Sequence, residues 1–322
     1  MVLAFVEHDA GTVGDATLEA LAFARDVAEQ EDARLAAVAF GDDATDVAGR
    51  VGEYGVEVLY AVEHADLETY APQAWAETVS QLVEAHSAGA VVHPGIERGH
   101  EVLAHVAAKR DLAMAANCVA VEVGDEYEVT RLRWGGTLLE HARLSGETKL
   151  LTAAENEVGA EPAPEPVDPT IEPFEPSLAE EDLLVAITRI EESDVEGIPL
   201  GEARVVVGGG RGVGSPEGFD KLEELAELLD AAIGSSRAAV NEGWRSHDDQ
   251  IGQTGAKISP HLYIPCGISG AVQHMVGCKG AEHIMAINTD PEAAIIGHAD
   301  YAVIADLHEV VPELNDALRD RG

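Results

Sequence analysis

Short, unbroken apolar runs alternate with stretches of helical period along the first 155 residues. Val2–Val6, Leu35–Phe40 and Val56–Val62 predict buried strands, and Thr17–Glu29 predicts a helix between the first two. Ala76–His86 predicts a helix leading into the strand Ala88-Gly-Ala-Val-Val-His93. Val102–Ala108 predicts a further helix, and Cys118–Val123 and Thr148–Thr152 two further strands. Apolar runs without alternation have no polar face to offer water, so they suit strands covered on both sides. The expected architecture is α/β: a mainly parallel sheet between helical layers.

The same logic restarts after residue 180. Leu183–Ile190, Ala203–Val207, Leu262–Cys266, Ile284–Asn288 and Tyr301–Ile304 predict strands, with a turn at Glu196-Gly-Ile-Pro199. Phe219–Leu229 predicts an amphipathic helix, with leucines at 222, 225, 228 and 229, and Ala271–Val276 opens another. Between the halves lies Glu161-Pro-Ala-Pro-Glu-Pro-Val-Asp-Pro169, followed by Pro173 and Pro176. Proline and acid in this density keep a chain extended and out of helices. The expected division is an N-terminal α/β domain over 1–160, a linker over 161–180 and a second α/β domain over 181–322.

Charge narrows the partners. Twenty basic residues face 60 acidic ones, a net charge of −40, yet 46% of residues are hydrophobic and a real core is expected. Only five basic residues are lysines, and the acids are spread along helical segments. An acidic coat of this kind suits concentrated salt, where self-repulsion is screened. It makes nucleic acid and anionic membranes poor partners. Neither a leader nor an apolar stretch long enough to span a membrane is evident. Cys118, Cys266 and Cys278 show no zinc-type spacing and no disulfide framework, which predicts buried small hydrophobes and a cytoplasmic protein.

Candidate chemistry concentrates in the second half. Four small-residue clusters stand where apolar runs end or helices begin: Gly208-Gly-Gly-Arg-Gly212, Gly234-Ser-Ser-Arg237, Gln250-Ile-Gly-Gln-Thr-Gly255 and Gly267-Ile-Ser-Gly-Ala-Val-Gln-His274. Glycine lets main-chain amides approach a ligand, and helix N-termini favour anions. The clusters predict a nucleotide-cofactor pocket. No Gly-x-Gly-x-x-Gly is present, because the third position falls on Val213 or Ser215, and there is no Walker A motif. In the first half, His8-Asp9 and His93-Pro-Gly95 lie at strand ends. They are expected to be turn residues first and ligand contacts only second.

In order and density, these pieces resemble the FAD-binding domain of the electron transfer flavoprotein alpha subunit. The resemblance rests on Gly209–Gly212, Ser236-Arg-Ala-Ala-Val240, Gly252-Gln-Thr-Gly255, Leu262-Tyr263, Gly267-Ile-Ser-Gly270 with Gln273-His274, Ala286-Ile-Asn288 with Asp290-Pro-Glu-Ala293, Ala299-Asp-Tyr301, Asp306-Leu307 and Val310-Val-Pro-Glu-Leu314. This chain has Gly218, Asn241, Ala256 and Thr289 where the family favours other residues, and Trp134-Gly-Gly136 where a Tyr-Ala-Gly-Asn segment is usual. The resemblance implies a Rossmann-like domain without the glycine fingerprint, holding FAD. It assigns ring contacts to Arg237, Gln253, Thr254 and His274, with Ser236, Gln250, Gly252, Gln273 and Arg211 around them. Ser269, Gly270 and Ala271 are expected at the pyrophosphate, with Gly267 also cofactor-binding, and Asn288, Asp306 and Leu307 at the ribose and adenine end, where Asp306 is equally a candidate helix N-cap. A donor from His274 at the flavin C2=O would stabilise the negative charge that reduction places there.

The implied function is electron carriage, as a heterodimer with an electron transfer flavoprotein beta subunit, from dehydrogenases to a membrane quinone oxidoreductase. The alternative is the FAD subunit of an NADH-oxidising, electron-bifurcating complex. The fold alone would also suit a nicotinamide-binding regulator, against which Gln253-Thr254 and Gln273-His274 argue. No catalytic residue set, metal cluster or substrate site of its own is evident.

Overall fold

Each apolar run of the first half buries both faces of its pleat, and alternate residues of one strand feed two separate cores. In the computed structural model, which describes residues 1–67, 69–134, 136–187 and 198–320, Val2, Ala4 and Val6 face one core and Leu3 and Phe5 the other. The first core is closed by helix α1 (Asp15–Gln30) through Leu18 and Leu21. The second is closed by α2 (Pro72–His86) and α3 (Glu97–Arg110) through Trp75, Val79, Leu82, Val102, Leu103 and Val106.

The chain divides into two units, Met1–Glu192 and Ser193–Gly322. Among the described residues, the main sheet of the first has nine strands: β1 (Val2–Phe5), β2 (Leu35–Phe40), β3 (Val58–Val62), β4 (Ala90–Pro94), β5 (Met114–Glu122), β6 (Tyr127–Arg133), β7 (Leu138–Leu144), β8 (Lys149–Ala153) and β9 (Thr170–Phe174). Their order is β9-β3-β2-β1-β4-β8-β5-β6-β7, parallel except where β6 pairs with β5 and β7. The parallel part matches the expectation, and the antiparallel hairpin β6–β7 departs from it. That hairpin is held partly by charge across strands, with Arg131 opposite Glu140 at 2.6 Å and Arg143 opposite Glu128 at 3.1 Å. Its charged positions hide the strand pattern from an apolar-run reading.

Residues 161–180 are extended, as their prolines require, but they are not a free linker. Thr170–Phe174 pairs in parallel with Val58–Val62 and forms the outermost strand. An edge is the one place in a sheet where Pro173, with no N–H, is tolerated. Upstream, the amides of Ala163 and Val167 donate to the carbonyls of Glu53 and Gly52. The break between units therefore falls after this segment, at Glu192/Ser193. The strand expected over Leu183–Ile190 is not found where it is described: Glu180–Leu183 is a turn of 3₁₀ helix whose Asp182 pairs with Lys109 on α3. Residues 188–190, and the first two of the turn expected at 196–199, lie outside the described residues.

Among the described residues, the second unit has six strands, all parallel: β10 (Val205–Gly209), β11 (Ala232–Ser236), β12 (Gln250–Ile251), β13 (Leu262–Cys266), β14 (Met285–Asn288) and β15 (Tyr301–Ile304). Their order, β12-β11-β10-β13-β14-β15, is the dinucleotide-fold arrangement in which succession reverses between the first and fourth strands. Helices α4 (Asp220–Leu229) and α7 (Leu307–Arg319) cover one face. Two short helices, α5 (Arg237–Asn241) and α6 (Val272–Met275), start at the strand ends. All three cysteines are free and buried, and burial pushes each thiol up to about 12. Among the described residues, no helix is long and apolar enough to cross a membrane, and no cluster of acidic, histidine or cysteine side chains could hold a metal ion.

Candidate functional site

The carboxyl ends of β10 and β13 diverge at the reversal point, and glycine brings their loops together. The Gly210 amide donates to the Cys266 carbonyl at 2.9 Å and the Gly212 amide to the Gly267 carbonyl at 3.1 Å. A Cβ on Gly212 would stand 2.7 Å from the Gly267 Cα, and Gly267 has a positive φ of +63°. The first glycine cluster thus serves the crossing of two backbones, and these two amides are already engaged.

Beside this crossing lies a crevice of about 660 Å³, within the range of small-molecule and cofactor sites. Its walls include Arg211, Ser236, Arg237, Gln250, Gly252, Gln253, Thr254, Gly267, Ser269, Ala271, Gln273, His274 and Asn288. Gly270, Asp306 and Leu307 are not part of the lining. Gly270 adopts φ +76° and packs its Cα against Ile295. Asp306 caps α7, accepting from the His308 amide at 2.9 Å, and Leu307 is buried against Gly267. Gly212, Ala238, Asn241, Ile251, Ile268, Asp290 and Ala293 also line the crevice, though none stands among the expected site residues. Asn241 was within reach of sequence reasoning, because it follows Arg237 by one helical turn.

Local hydrogen bonds set the wall. Ser236 is buried and its Oγ accepts from the Ala239 amide, capping α5 behind Arg237. Gln250 Nε2 donates to Thr254 Oγ1 at 3.0 Å, leaving the threonine proton for another acceptor. The Gln253 amide donates to the Gln273 carbonyl at 2.8 Å, tying the Gln253-Thr254 tip to the start of α6. Asn288 spends both ends of its amide: Nδ2 donates to the Ile268 carbonyl and Oδ1 accepts from the Asp290 amide.

His274 is 7% exposed; its Nε2 lies 2.8 Å from the Tyr263 hydroxyl, and its Nδ1 is buried without a well-formed hydrogen bond. Burial pulls the imidazole down to about 4, with the Ile251 main chain opposing only weakly, so the ring is neutral at pH 7.

The crevice suits an anion. Arg211 and Arg237 are exposed on its rim, and neither has an acidic partner among the described residues. That is informative in a chain with three acids for every base, where most other basic side chains are paired. The amides of Ser269 and Ala271 donate to no acceptor among the described residues, so they too are available to an anion. A second hollow of about 760 Å³ in the same unit is lined by Glu223, Glu227, Asp230, Asp248 and Asp249. Its one arginine, Arg245, is taken by Glu223 and Asp249, so that hollow repels phosphate.

The family model described as the electron transfer flavoprotein FAD-binding domain matches residues 199–279, and that of the electron transfer flavoprotein domain matches residues 2–178. The chain belongs to the electron transfer flavoprotein alpha-subunit family. The electron transfer flavoprotein subunit alpha of Bacillus subtilis is 33% identical over 310 residues, spanning 96% of this chain and 94% of its own. That of Thermoanaerobacterium thermosaccharolyticum is 29% identical over 318 residues, spanning 98% and 96%. Protein FixB of Bradyrhizobium diazoefficiens is 33% identical over 327 residues, spanning 99% and 89%. The second unit is thus the FAD-binding domain of an electron-transport flavoprotein. Within it, the crevice at the strand reversal brings together Arg211 and Arg237, which have no acidic partner among the described residues, and the loop Gly267–Ala271.

Proposed function

We propose that the crevice between β10 and β13 holds FAD. Paired with an electron transfer flavoprotein beta subunit in the cytoplasm, the chain then carries electrons from dehydrogenases to a membrane quinone oxidoreductase. The observation that carries this reading is the convergence of Arg211, Arg237, Gln253, Thr254 and His274 on one crevice of the family's FAD-binding domain. FAD, when bound, supplies the redox chemistry at its isoalloxazine ring. Arg237 offers positive charge to that ring, and Thr254 offers a hydroxyl proton at its polar edge. Ser269 and Ala271 offer main-chain amides to the pyrophosphate, with Arg211 as counter-charge. Asn288 holds the Ile268 carbonyl and so keeps the phosphate loop in shape. Asp306 caps α7 and Leu307 packs in the core, and a contact with the ribose and adenine end is compatible with both roles.

The test is the flavin content of the purified heterodimer, together with bleaching of its visible absorbance by an acyl-type dehydrogenase and substrate. One FAD per heterodimer and reversible bleaching are expected, and a colourless heterodimer that FAD does not reconstitute would end the reading. The second reading is the FAD subunit of an NADH-oxidising, electron-bifurcating complex. Two flavins per heterodimer and bleaching by NADH would select it. The acidic coat fits work in concentrated salt. A heterodimer equally stable at millimolar and molar salt would remove that part.

A further inference from the structure

Tyr263 has no role in the reading above, yet it is built into the site. It is 0% exposed, the second residue of β13, and packs beneath Gly208 of β10: a Cβ on that glycine would stand 2.5 Å from the phenol oxygen. The hydroxyl lies 2.8 Å from His274 Nε2 and has no other hydrogen-bond partner among the described residues. Burial raises the phenol well above its ordinary range, with Cys278 and Cys266 adding to the effect, and lowers the imidazole. Both groups are therefore neutral. A neutral pair has two arrangements. If Nε2 carried the ring proton, it would donate to the phenol oxygen, and the phenol proton would be stranded in the core without an acceptor. If the phenol donates to Nε2, its proton is satisfied and the ring proton sits on Nδ1.

We propose that Tyr263 is a positioning residue that fixes His274 as its Nδ1–H tautomer, so that the crevice wall presents a neutral hydrogen-bond donor to its ligand. Within the chain Nδ1 makes no well-formed hydrogen bond, and the ring's interaction with the Ile251 main chain is outweighed by burial, so the donor can turn to a ligand. Only the identity of the ligand rests on the FAD reading, since the tautomer is set by the chain. Gly208 takes part for a steric reason: any side chain there would push the phenol off the imidazole.

Long-range proton–nitrogen correlation spectra of the ¹⁵N-histidine-labelled heterodimer read the tautomer directly, with the signal assigned by its loss in His274→Gln. Wild type is expected to show a protonated Nδ1 and an acceptor Nε2. Tyr263→Phe removes one oxygen and keeps the ring volume. It should lose that pattern, retain FAD and shift the flavin potential downwards. A wild-type Nε2–H pattern overturns the proposal even if the variant fails to assemble, and so does an unchanged pattern in Tyr263→Phe. A changed tautomer with an unmoved potential overturns the claim that the donor serves the ligand. A wild type that binds no FAD while showing the Nδ1–H pattern refutes the FAD reading and leaves the tautomer assignment standing.

Discussion

The two units solve the same topological problem in opposite ways. Each has a central first strand flanked by its successor on one side and by a later strand on the other, so each has a reversal point at its carboxyl edge. In the N-terminal unit that edge is filled with rings. Phe5 ends β1, Phe40 ends β2 and His93 lies near the end of β4. Phe5 stacks on His93 at 4.4 Å, and Phe40 on Trp75 at 4.4 Å. In the C-terminal unit the corresponding ends carry Gly209, Ser236 and Cys266-Gly267, and a crevice of about 660 Å³ stands beside them. Parallel topology alone therefore does not make a cofactor site. Side-chain volume at the strand ends decides whether the reversal point is a plug or a pocket.

The most direct way to break the comparison is to put volume where the second unit has none. Gly267→Ala forces a side chain onto a φ of +63° and brings its Cβ to 2.8 Å from the Gly212 Cα, a main-chain atom that cannot swing aside. We expect a loss of about 2–4 kcal/mol from positive-φ strain and overpacking. FAD retention should fall by roughly 100-fold as the two loops part. Flavin absorbance after gel filtration and a urea melt measure the two effects. Gly49→Ala, on the short helix Ala48–Gly52 with nothing within 4 Å, is the control. It should be neutral or stabilise by up to about 1 kcal/mol through helix propensity. Equal flavin retention in both variants would contradict the idea that close backbone crossing shapes the crevice.

This contrast also explains what the sequence made legible. Apolar runs announced most of the buried strands, because a parallel strand covered on both faces leaves no other pattern. The glycine clusters announced the crevice, since only close backbone approach requires so many residues without a Cβ. The hairpin Tyr127–Arg133/Leu138–Leu144 escaped notice because its pairing uses Glu128, Arg131, Glu140 and Arg143. Thr170–Phe174 escaped because proline marks a segment as non-helical but does not reveal an edge it can pair with. Asp306 and Leu307 carry the same local signal as ligand contacts, a polar residue at a strand end before a helix. The same signal reads as a helix cap at Asp306, and the structure adds that Leu307 is buried against Gly267.

The plug in the N-terminal unit has its own signature. His93 is fully buried with neither ring nitrogen in a well-formed hydrogen bond, and burial pulls it down to about 3. The folded state thus binds this proton only below about pH 3, while the unfolded chain binds it below the ordinary histidine value near 6.5. Stability from this group is full above that ordinary value and is lost as pH falls towards 3. Between pH 7 and pH 5 the loss comes to about 2 kcal/mol. His93→Leu removes the titrating group at similar volume. It should flatten the acid side of the profile by that amount while leaving flavin binding unchanged. Urea melts of both proteins at the two pH values check it, and parallel profiles would show that the buried ring is not the acid-sensitive element.

The smallest expected effect sharpens the comparison at single side chains. Each unit has an arginine near its reversal point, in different company. Arg98 is 3.3 Å from Glu7 and lies over the Tyr70 ring at 5.0 Å, so its charge is spent within the plug. Arg237 has no acidic partner among the described residues and stands on the crevice rim, so its charge is available to a ligand. Removing a charge that has no partner costs the fold little, since no ion pair is broken. Arg237→Gln should therefore melt like wild type yet bind FAD about 10-fold more weakly, equivalent to about 1.4 kcal/mol. The loss should shrink as salt rises and screens the rim. Arg98→Gln should leave FAD affinity unchanged and lower stability by at most about 1 kcal/mol, the range of an exposed ion pair. Fluorescence titration of the two apoproteins with FAD at low and high salt separates them. Equal affinities would mean that the unpaired arginine is surface charge only, and that the pocket is distinguished from the plug by shape alone.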